Sequence, residues 1–335
     1  MVRLRLEDQQ LFAENHGWGS ADLYPLAADA SHRSYIRLLN GTETCLLMDA
    51  PPETEKLKEF VTIAKHLQAI GLRTPEIYAY DFAQGFALVE DFGDNTFTRL
   101  LEAGANELAL YRQAADVLIH LHRQGENTLN VAVPPYDIEL MLEEVGRFLK
   151  WFVPAARGTE ATSDEVTTYF DVWRNALHNL SEERSAFVFR DFHVDNLMVV
   201  EDGGGVKACG LLDFQDALIG SPAYDMVSLL EDARRDISAE TYKEVLVHYY
   251  AGCPSVDSEK FERDMAILGA QRHAKVAGLF VRLSREAGKH TYLRHLPRVQ
   301  TLLAKSLSHS KLVEVSEIIE AIVPGYRTVK ILVDE

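Results

Sequence analysis

Apolar residues recur at helical spacing over residues 3–17 and again over 53–70, where Phe60, Ile63, Ala64, Leu67 and Ile70 share one face. Gly71 follows directly and suits the left-handed end of a helix. Between these segments, YIRLLN (35–40) and TCLLMDA (44–50) are short apolar runs flanking Asn40-Gly41, a pair that fits a tight hairpin turn. PEIYAYDF (75–82) and GFALVEDF (85–92) read as two further strands, with a turn near Gln84-Gly85. After Asp91 the period changes. Leu108, Tyr111, Ala115, Leu118, Ile119 and Leu121 mark a helix over 105–124. Helical patterns continue over 136–152, 163–180, 222–234, 239–250, 257–284 and 297–322. Only 186–214 departs from them, with AFVFRDF, NLMVVED and KACGLLDF reading as short strands and loops.

This order predicts an α+β chain of two lobes. A small β-rich lobe is expected over 1–92 and a large, mainly helical lobe over 93–335. At 335 residues each lobe can bury a core of its own. There is no internal repeat, low-complexity tract or long linker.

The β insertion holds the candidate chemistry. It contains FRDFHVDNLMVV (189–200) and, after a glycine-rich turn at 203–205, GLLDFQDA (210–217). Phosphoryl transfer to an alcohol needs a carboxylate to take the hydroxyl proton, and oxygen ligands to hold Mg²⁺ across the phosphates. Asp191 precedes Asn196 by five residues, the spacing of the protein-kinase loop R-D-x-x-x-x-N, and Arg190 stands before it. Asp213-Phe214 occupies the place of the kinase Asp-Phe-Gly metal ligand. A tight hairpin between Asn196 and Asp213 would bring both to one end of a ribbon. The pattern therefore points to Asp191 as catalytic base and to Asn196 and Asp213 as metal ligands. Each carboxylate alone would pass as a loop residue; spacing, flanking strands and position agree only for the set. A hydrolase metal site from Asp191, His193 and Asp195 is the competing arrangement, but no second His/Asp cluster lies nearby to complete it. His193 is instead expected to pin the loop through its ring.

The strings FRDFHVDNLMVV and LLDFQDA resemble the aminoglycoside phosphotransferase/choline kinase superfamily, whose loop usually reads H-G-D-x-H-x-x-N. Asp191, His193 and Asn196 match that loop residue by residue, and Asp213 matches the metal-binding aspartate. The resemblance implies a protein-kinase-like two-lobe fold, with ATP and Mg²⁺ as cofactors. SPAYDMVSLLED (221–232) is similar to the family's next helix, which implies that Asp225 anchors the catalytic loop through backbone hydrogen bonds. A plain first-turn carboxylate favoured by the helix dipole is the alternative. ADASHRSYIRL, LLMDAPPETE, GFALVEDFGD and QRHAKVAGLFVRL with GKHTYLRHLPR narrow the resemblance to the anomeric amino-sugar kinases. Those enzymes phosphorylate the C1 hydroxyl of N-acetylmuramate and N-acetylglucosamine in cell-wall recycling.

The nucleotide half departs from the kinase pattern. DASHRS (29–34) sits where kinases carry a glycine-rich loop, yet it has no glycine. Ser31 and Ser34 offer hydroxyls and N–H groups to phosphate, and His32 and Arg33 add positive charge; an ordinary exposed turn would look the same. The strand lysine of kinases is missing, with Met48 at the corresponding place. Arg33, Arg37 or the metal must then meet the phosphate charge, and Glu55 or Glu59 serves as the helix glutamate only if a cation faces it. By resemblance, backbone groups of Glu90 and Phe92 meet the adenine edge. Gln215 and Asp216, just past the metal aspartate, and Arg272, within the basic run Gln271, Arg272, His273, Lys275, Arg282 and Arg285, are candidates for the acceptor site. Charge runs on helices are more commonly solvated faces. An aminoglycoside kinase, a choline-like kinase and a nucleotide-binding pseudokinase remain competing readings.

The formal net charge of −17 removes nucleic acid and anionic membranes as expected partners, since both require a basic face. It also leaves an anionic donor such as ATP to be met locally. The expected partner is a small-molecule acceptor, an amino sugar by resemblance. Cys45, Cys209 and Cys253 are far apart and contain no CxxC, as in a reducing compartment. With charges throughout MVRLRLEDQQLFAENHG and no apolar run of membrane-spanning length, the expected location is cytoplasmic. Nothing in the pattern specifies an oligomeric state.

Overall fold

A computed structural model describes residues 2–27, 32–180, 185–201 and 203–332. The chain opens with α1 (Val2–Asn15), β1 (Asp22–Pro25), β2 (Ser34–Asn40) and β3 (Glu43–Asp49), then α2 (Leu57–Ala69), β4 (Ile77–Asp81) and β5 (Phe86–Val89). Helices α3 (Phe97–Glu102), α4 (Glu107–Arg123), α5 (Ile138–Arg147), α6 (Val153–Arg157) and α7 (Ser163–Leu177) follow. Short strands β6 (Ala186–Val188), β7 (Leu197–Val199), β8 (Cys209–Leu211) and β9 (Leu218–Gly220) interrupt them. The remainder is α8 (Ala223–Leu230), α9 (Ala239–Gly252), α10 (Ser258–Ala287), α11 (Leu296–Leu307) and α12 (Val313–Ile322). Two compact units result: residues 1–132 with 194–217, and residues 133–193 with 218–335. The lobe boundary expected at residue 92 divides the chain by strand and helix content rather than by compactness.

The first unit is built on an antiparallel sheet of order β1-β2-β3-β5-β4. Asn40 pairs with Glu43 across Gly41, whose φ of 66° is the left-handed turn geometry that favours glycine. Alternation sends Leu38, Cys45, Leu47, Phe86 and Leu88 to one face, where Phe12 and Ala13 of α1 cover them. Each large apolar side chain buried there contributes about 1.5–3 kcal/mol. Arg5 and Gln9 fix α1 further by donating to Asp49 at the end of β3. Gly85 turns β4 into β5 with φ 75°, and a Cβ there would meet the Ala50 carbonyl oxygen at 2.2 Å.

A second ribbon belongs to the same unit. Leu197 pairs with Leu211 and Val199 with Cys209, and the Leu211 N–H donates to the Arg73 carbonyl at 2.8 Å. Phe92 packs on this ribbon at Gly210, where a Cβ would come within 2.7 Å of its ring.

The second unit forms around α10. Its Gly278 lets the helix touch the end of α5, since a Cβ there would sit 2.2 Å from the Arg147 carbonyl oxygen. Beyond α5 the helix continues as a π-helical turn over Phe148–Phe152 before Pro154, which cannot donate a backbone hydrogen bond. Tyr169 and Trp173 of α7 are fully buried, and the Tyr169 hydroxyl donates to the Val145 carbonyl at 3.0 Å. β6 and β9 pair antiparallel, and the Tyr136 N–H extends them by donating to Ile219 at 2.7 Å.

Several elements differ from the sequence expectation: β9 lies outside the expected 186–214 insertion, where it pairs with β6, and α8 stops at Leu230 rather than 234. β1 has no apolar alternation because all four of its residues are exposed, and pairing with β2 alone makes it a strand. α3 is too short for periodicity, though Thr96 caps it by accepting the Arg99 N–H. The helix expected over 297–322 is broken at Ser308–Leu312. There the Ser308 hydroxyl takes the Lys305 carbonyl at 2.6 Å and His309 caps the next turn.

Glu144 of α5 is fully buried, with Lys275 of α10 at 2.9 Å and the Arg190 guanidinium on the same oxygen. Burial pushes its carboxyl up, but Lys275 and then Arg190 outweigh that and hold it at about 2. Because the folded value lies below the unfolded one, this stabilisation is complete above about pH 4.5 and is lost as the pH falls toward 2. Glu144→Gln should therefore cost about 3–5 kcal/mol at neutral pH, since it leaves two buried cations without their anion. Urea denaturation against pH measures this, and the deficit should shrink below pH 4.

Candidate active site

Arg190 and Asp191 follow β6 directly, and the backbone there is strained: Arg190 has φ 72°, a left-handed conformation rare for a side-chain-bearing residue. Asp225 of α8 holds it. One carboxylate oxygen accepts the Phe189 N–H at 2.7 Å and the other the Arg190 N–H at 3.0 Å. Burial pushes Asp225 up to about 7, against the pull of those two donors and of Arg272. The Arg190 carbonyl accepts from the Ser228 hydroxyl at 3.2 Å and from Arg272 Nη1 at 3.0 Å, while its guanidinium reaches Glu144. The loop is thus fixed through its main chain on both sides of one peptide.

Asp191 keeps 44% exposure of its side chain, with Arg272 Nη1 3.6 Å from Oδ1. Crowding by protein pushes its carboxyl up, but Arg272, followed by Lys275, His193 and Arg190, holds it well below the usual carboxylate range. A carboxylate so depressed is a weak base. It suits a reaction in which the acceptor hydroxyl is oriented first and surrenders its proton late, as phosphoryl transfer with a loose transition state allows. His193 is buried; its N–H donates to the Asp191 carbonyl at 3.2 Å and its Nε2 lies 3.4 Å from Arg234 Nη1.

Arg272, placed by the sequence at the acceptor, is 6% exposed and has Nη1 within 3.3 Å of the Tyr224 hydroxyl as well as on the Arg190 carbonyl. Three of its neighbours in the basic run face buried acids, while Arg282 is part-exposed and Arg285 exposed. Gln271 and Lys275 meet Glu144, and His273 meets Glu231 at 2.8 Å, all of them buried.

In the other unit, the β7–β8 ribbon brings Asn196 and Asp213 to one end: the Leu212 N–H donates to the Asn196 carbonyl at 3.0 Å, and Asp213 follows with φ 58°. Phe214, fully buried, stacks on Phe60 of α2 at 5.0 Å between ring centroids and so ties this turn to the helix. Asp195 is held by the Thr98 hydroxyl of α3. Among the described residues no three His, Cys, Asp or Glu side chains gather as a metal cluster. A carboxylate and an amide oxygen at one ribbon end do fit Mg²⁺, which takes hard oxygens and completes its shell with phosphate and water.

Arg33 Nη1 donates to Gln215 Oε1 at 2.9 Å, Nη2 donates to Asp213, and Nε lies 3.2 Å from Glu55 Oε2. The Gln215 amide nitrogen returns to Asp213 at 2.9 Å, and Lys56 Nζ meets Asp216 at 2.6 Å. The His32 N–H donates to Glu55 at 2.9 Å, while Ser34 begins β2 opposite Asp49. Ser31 lies outside the described residues. Arg37, the other candidate cation of β2, is taken up by Asp91 at 2.6 Å and Asp94 at 3.2 Å. The Glu90 N–H donates to the Glu76 carbonyl at 2.8 Å and its carboxylate binds Arg73, while the Phe92 ring faces Arg73 at 5.2 Å.

Sequence reasoning missed Glu144 and Lys56, and it singled out Lys275 only as part of a basic run. Glu144 carries no signal, because a charged residue on an amphipathic helix reads as solvent-facing until its partner is seen.

Among the described residues no helix is long and apolar enough to cross a membrane. The chain is 33% identical over 321 residues to an N-acetylmuramate/N-acetylglucosamine kinase of Pseudomonas aeruginosa, with 92% of each chain covered. It is 30% identical over 348 residues to a protein of the same name from Caulobacter vibrioides, covering 93% of this chain and 95% of that one. A solved choline/ethanolamine kinase family protein from Mesorhizobium loti superposes with a TM-score of 0.63 at 12% identity, covering 94% of this chain and 98% of that one. At that identity the likeness speaks to fold, and the α+β, protein-kinase-like architecture expected from the sequence is the one the chain has. The sequence profile of the phosphotransferase enzyme family matches residues 22–259, from β1 into α10, and the chain belongs to that family.

Proposed function

We propose that the chain transfers the γ-phosphate of ATP to a hydroxyl of an N-acetylated amino sugar, the anomeric hydroxyl of N-acetylmuramate or N-acetylglucosamine. The observation that carries the reading is the built loop around Asp191, in a chain whose relatives over nine-tenths of its length bear that activity in their names. Asp191 orients the sugar hydroxyl and accepts its proton. Arg190, His193 and Asp225 hold the loop that carries it, and Arg272 acts as a positioning residue that keeps the carboxylate ionised. Asn196 and Asp213 are the residues that would hold Mg²⁺, which when bound neutralises charge on the phosphates. Ser31, His32, Arg33 and Ser34 are assigned to the phosphates. The adenine edge falls to the Glu90 carbonyl, whose partner N–H is already committed to Glu76, and to the Phe92 N–H. Gln215 and Asp216 are assigned to the acceptor. The nucleotide is bound by residues 1–92, the acceptor by 93–335, and use of ATP gives the enzyme a cytoplasmic location.

Purified protein with Mg-ATP should phosphorylate N-acetylmuramate or N-acetylglucosamine in preference to aminoglycosides and choline, with product NMR placing the phosphate on C1. Transfer to no sugar in such a panel would defeat the proposal. Asp191→Asn should lower kcat by about 10²–10⁴-fold and leave ATP affinity nearly unchanged. A nucleotide-binding regulatory module would show no turnover to lose.

The depressed Asp191 carboxyl adds a pH signature. Wild-type kcat/KM should have no acid limb from this group down to about pH 5, well above the ordinary aspartate value. Arg272→Met removes the largest force holding the carboxyl down, so an acid limb should appear and activity at pH 5.5 should fall more than at pH 8. Coincident profiles would show that Arg272 does not act through Asp191.

A further inference from the structure

β3 contains no cation, and its Met48 is fully buried. In protein kinases the lysine of that strand pairs with a helix glutamate and with the donor phosphates. Here the glutamate position is filled: Glu55, just ahead of α2, is faced by Arg33 at 3.2 Å. Its other oxygen accepts the His32 N–H at 2.9 Å, so one carboxylate orders two consecutive residues of the loop before β2. The cation has moved one strand back in the chain and has changed from lysine to arginine.

The same guanidinium is engaged on the metal side. Arg33 donates to Asp213, its Nη1 donates to Gln215, and Gln215 donates back to the same Asp213 oxygen at 2.9 Å. A metal cation and a guanidinium on one carboxylate repel each other, so Asp213 cannot serve both at full strength. A polyphosphate offers the planar fork more charge than a single carboxylate, and guanidinium matches phosphate in bidentate fashion. Two other described cations of this unit are already engaged. Arg37 is held by two carboxylates, and Lys56 sits on Asp216 with 59% exposure.

We infer that Arg33, positioned by Glu55, is the phosphate-binding cation of this enzyme and exchanges between Asp213 and the nucleotide phosphates. Nucleotide draws Arg33 away from Asp213, and the vacated carboxylate accepts the metal. Nucleotide and metal then bind cooperatively because they exchange the cation on one side chain. The inference rests on the nucleotide-dependent reading above, but not on the identity of the acceptor.

The test measures binding without any acceptor: ADP by calorimetry in metal-free buffer, and Mn²⁺ by electron paramagnetic resonance with and without ADP. Arg33→Met should weaken metal-free ADP binding by about 10- to 100-fold, the range for losing hydrogen bonds to a charged group. It should tighten Mn²⁺ binding in the absence of ADP, because the competing cation is gone, and the mutual enhancement of the two ligands should shrink equally from both directions. Arg33→Lys should restore part of the ADP affinity. Asp213→Asn should abolish Mn²⁺ binding yet tighten metal-free ADP binding, since the Asp213 charge no longer competes for Arg33. General damage to the fold cannot produce these opposite signs. An unchanged ADP affinity in Arg33→Met, or Mn²⁺ and ADP weakened alike, overturns the inference. If Arg33→Met does not fold, metal-free ADP binding that fails to tighten in Asp213→Asn overturns it instead. A wild type that shows these shifts but phosphorylates no amino sugar would sink the substrate assignment and leave Arg33 in place.

Discussion

A carboxylate cut off from water must hold its charge on protein cations alone, and in this chain that carboxylate is Glu144. Lys275 and Arg190 meet one of its oxygens, and Gln271 at 3.0 Å, with the Tyr136 hydroxyl, meets the other. Those partners come from α10, from the loop after β6 and from the segment before α5. One buried anion therefore registers three pieces of chain whose apolar surfaces could otherwise slide. Ion pairs of this kind are a poor source of net stability, because the desolvation they cost roughly offsets the attraction they gain. Their effect is geometric: the alternatives all leave a buried charge without a partner. The Arg190 side chain is pulled toward Glu144 while its backbone is held by Asp225, and Asp191 is presented as the next residue of a loop fixed at both levels.

Backbone strain falls on two residues of the candidate loops. Among the described residues, only Arg190 and Asp213 carry a side chain at positive φ. Each such conformation costs on the order of 1–3 kcal/mol and persists only where its surroundings over-determine it. For Arg190 the determinants are two N–H bonds to Asp225 and two donors to its own carbonyl. For Asp213 they are the pairing of β7 with β8, the burial of Phe214 against Phe60, and the Arg33–Gln215 bridge. A glycine would relieve the strain at either place but would remove a side chain that the proposed site uses.

How much of this the sequence discloses follows from what each signal measures. Spacing along one loop carries information that survives folding, so Asp191, Asn196 and Asp213 stood out from FRDFHVDN and LLDF alone, as did the helices whose apolar faces repeat over several turns. Pairing between distant segments leaves no such trace. The run Gln271, Arg272, His273, Lys275 has the composition of a solvated or ligand-facing stripe, and only the acids on α5 and after α8 reveal it as buried. β1 is invisible because an exposed edge strand has no hydrophobic alternation to display. The long C-terminal helix was over-read, because apolar periodicity persists through Ser308–Leu312 while the Ser308 hydroxyl and the His309 ring take up backbone groups a helix would use.

The missing strand lysine is the same lesson carried into function. Sequence position suggests that a lost cation should be replaced at the same place, and at Met48 there is none. Physics asks only that a positive group lie within reach of the helix glutamate, and any chain segment ending there will do. In a protein of formal charge −17 a cation so placed cannot stand alone, because carboxylates are the commonest neighbours it meets. Arg33 is accordingly surrounded by Glu55 and Asp213, and burial, which alone would lower its proton affinity, is outweighed so that its pKa lies above the ordinary arginine value. With Arg33 proposed as the phosphate cation, its charge is already neutralised inside the protein by Glu55 and Asp213, and donor binding would be an exchange of counter-ions rather than the filling of a bare positive site.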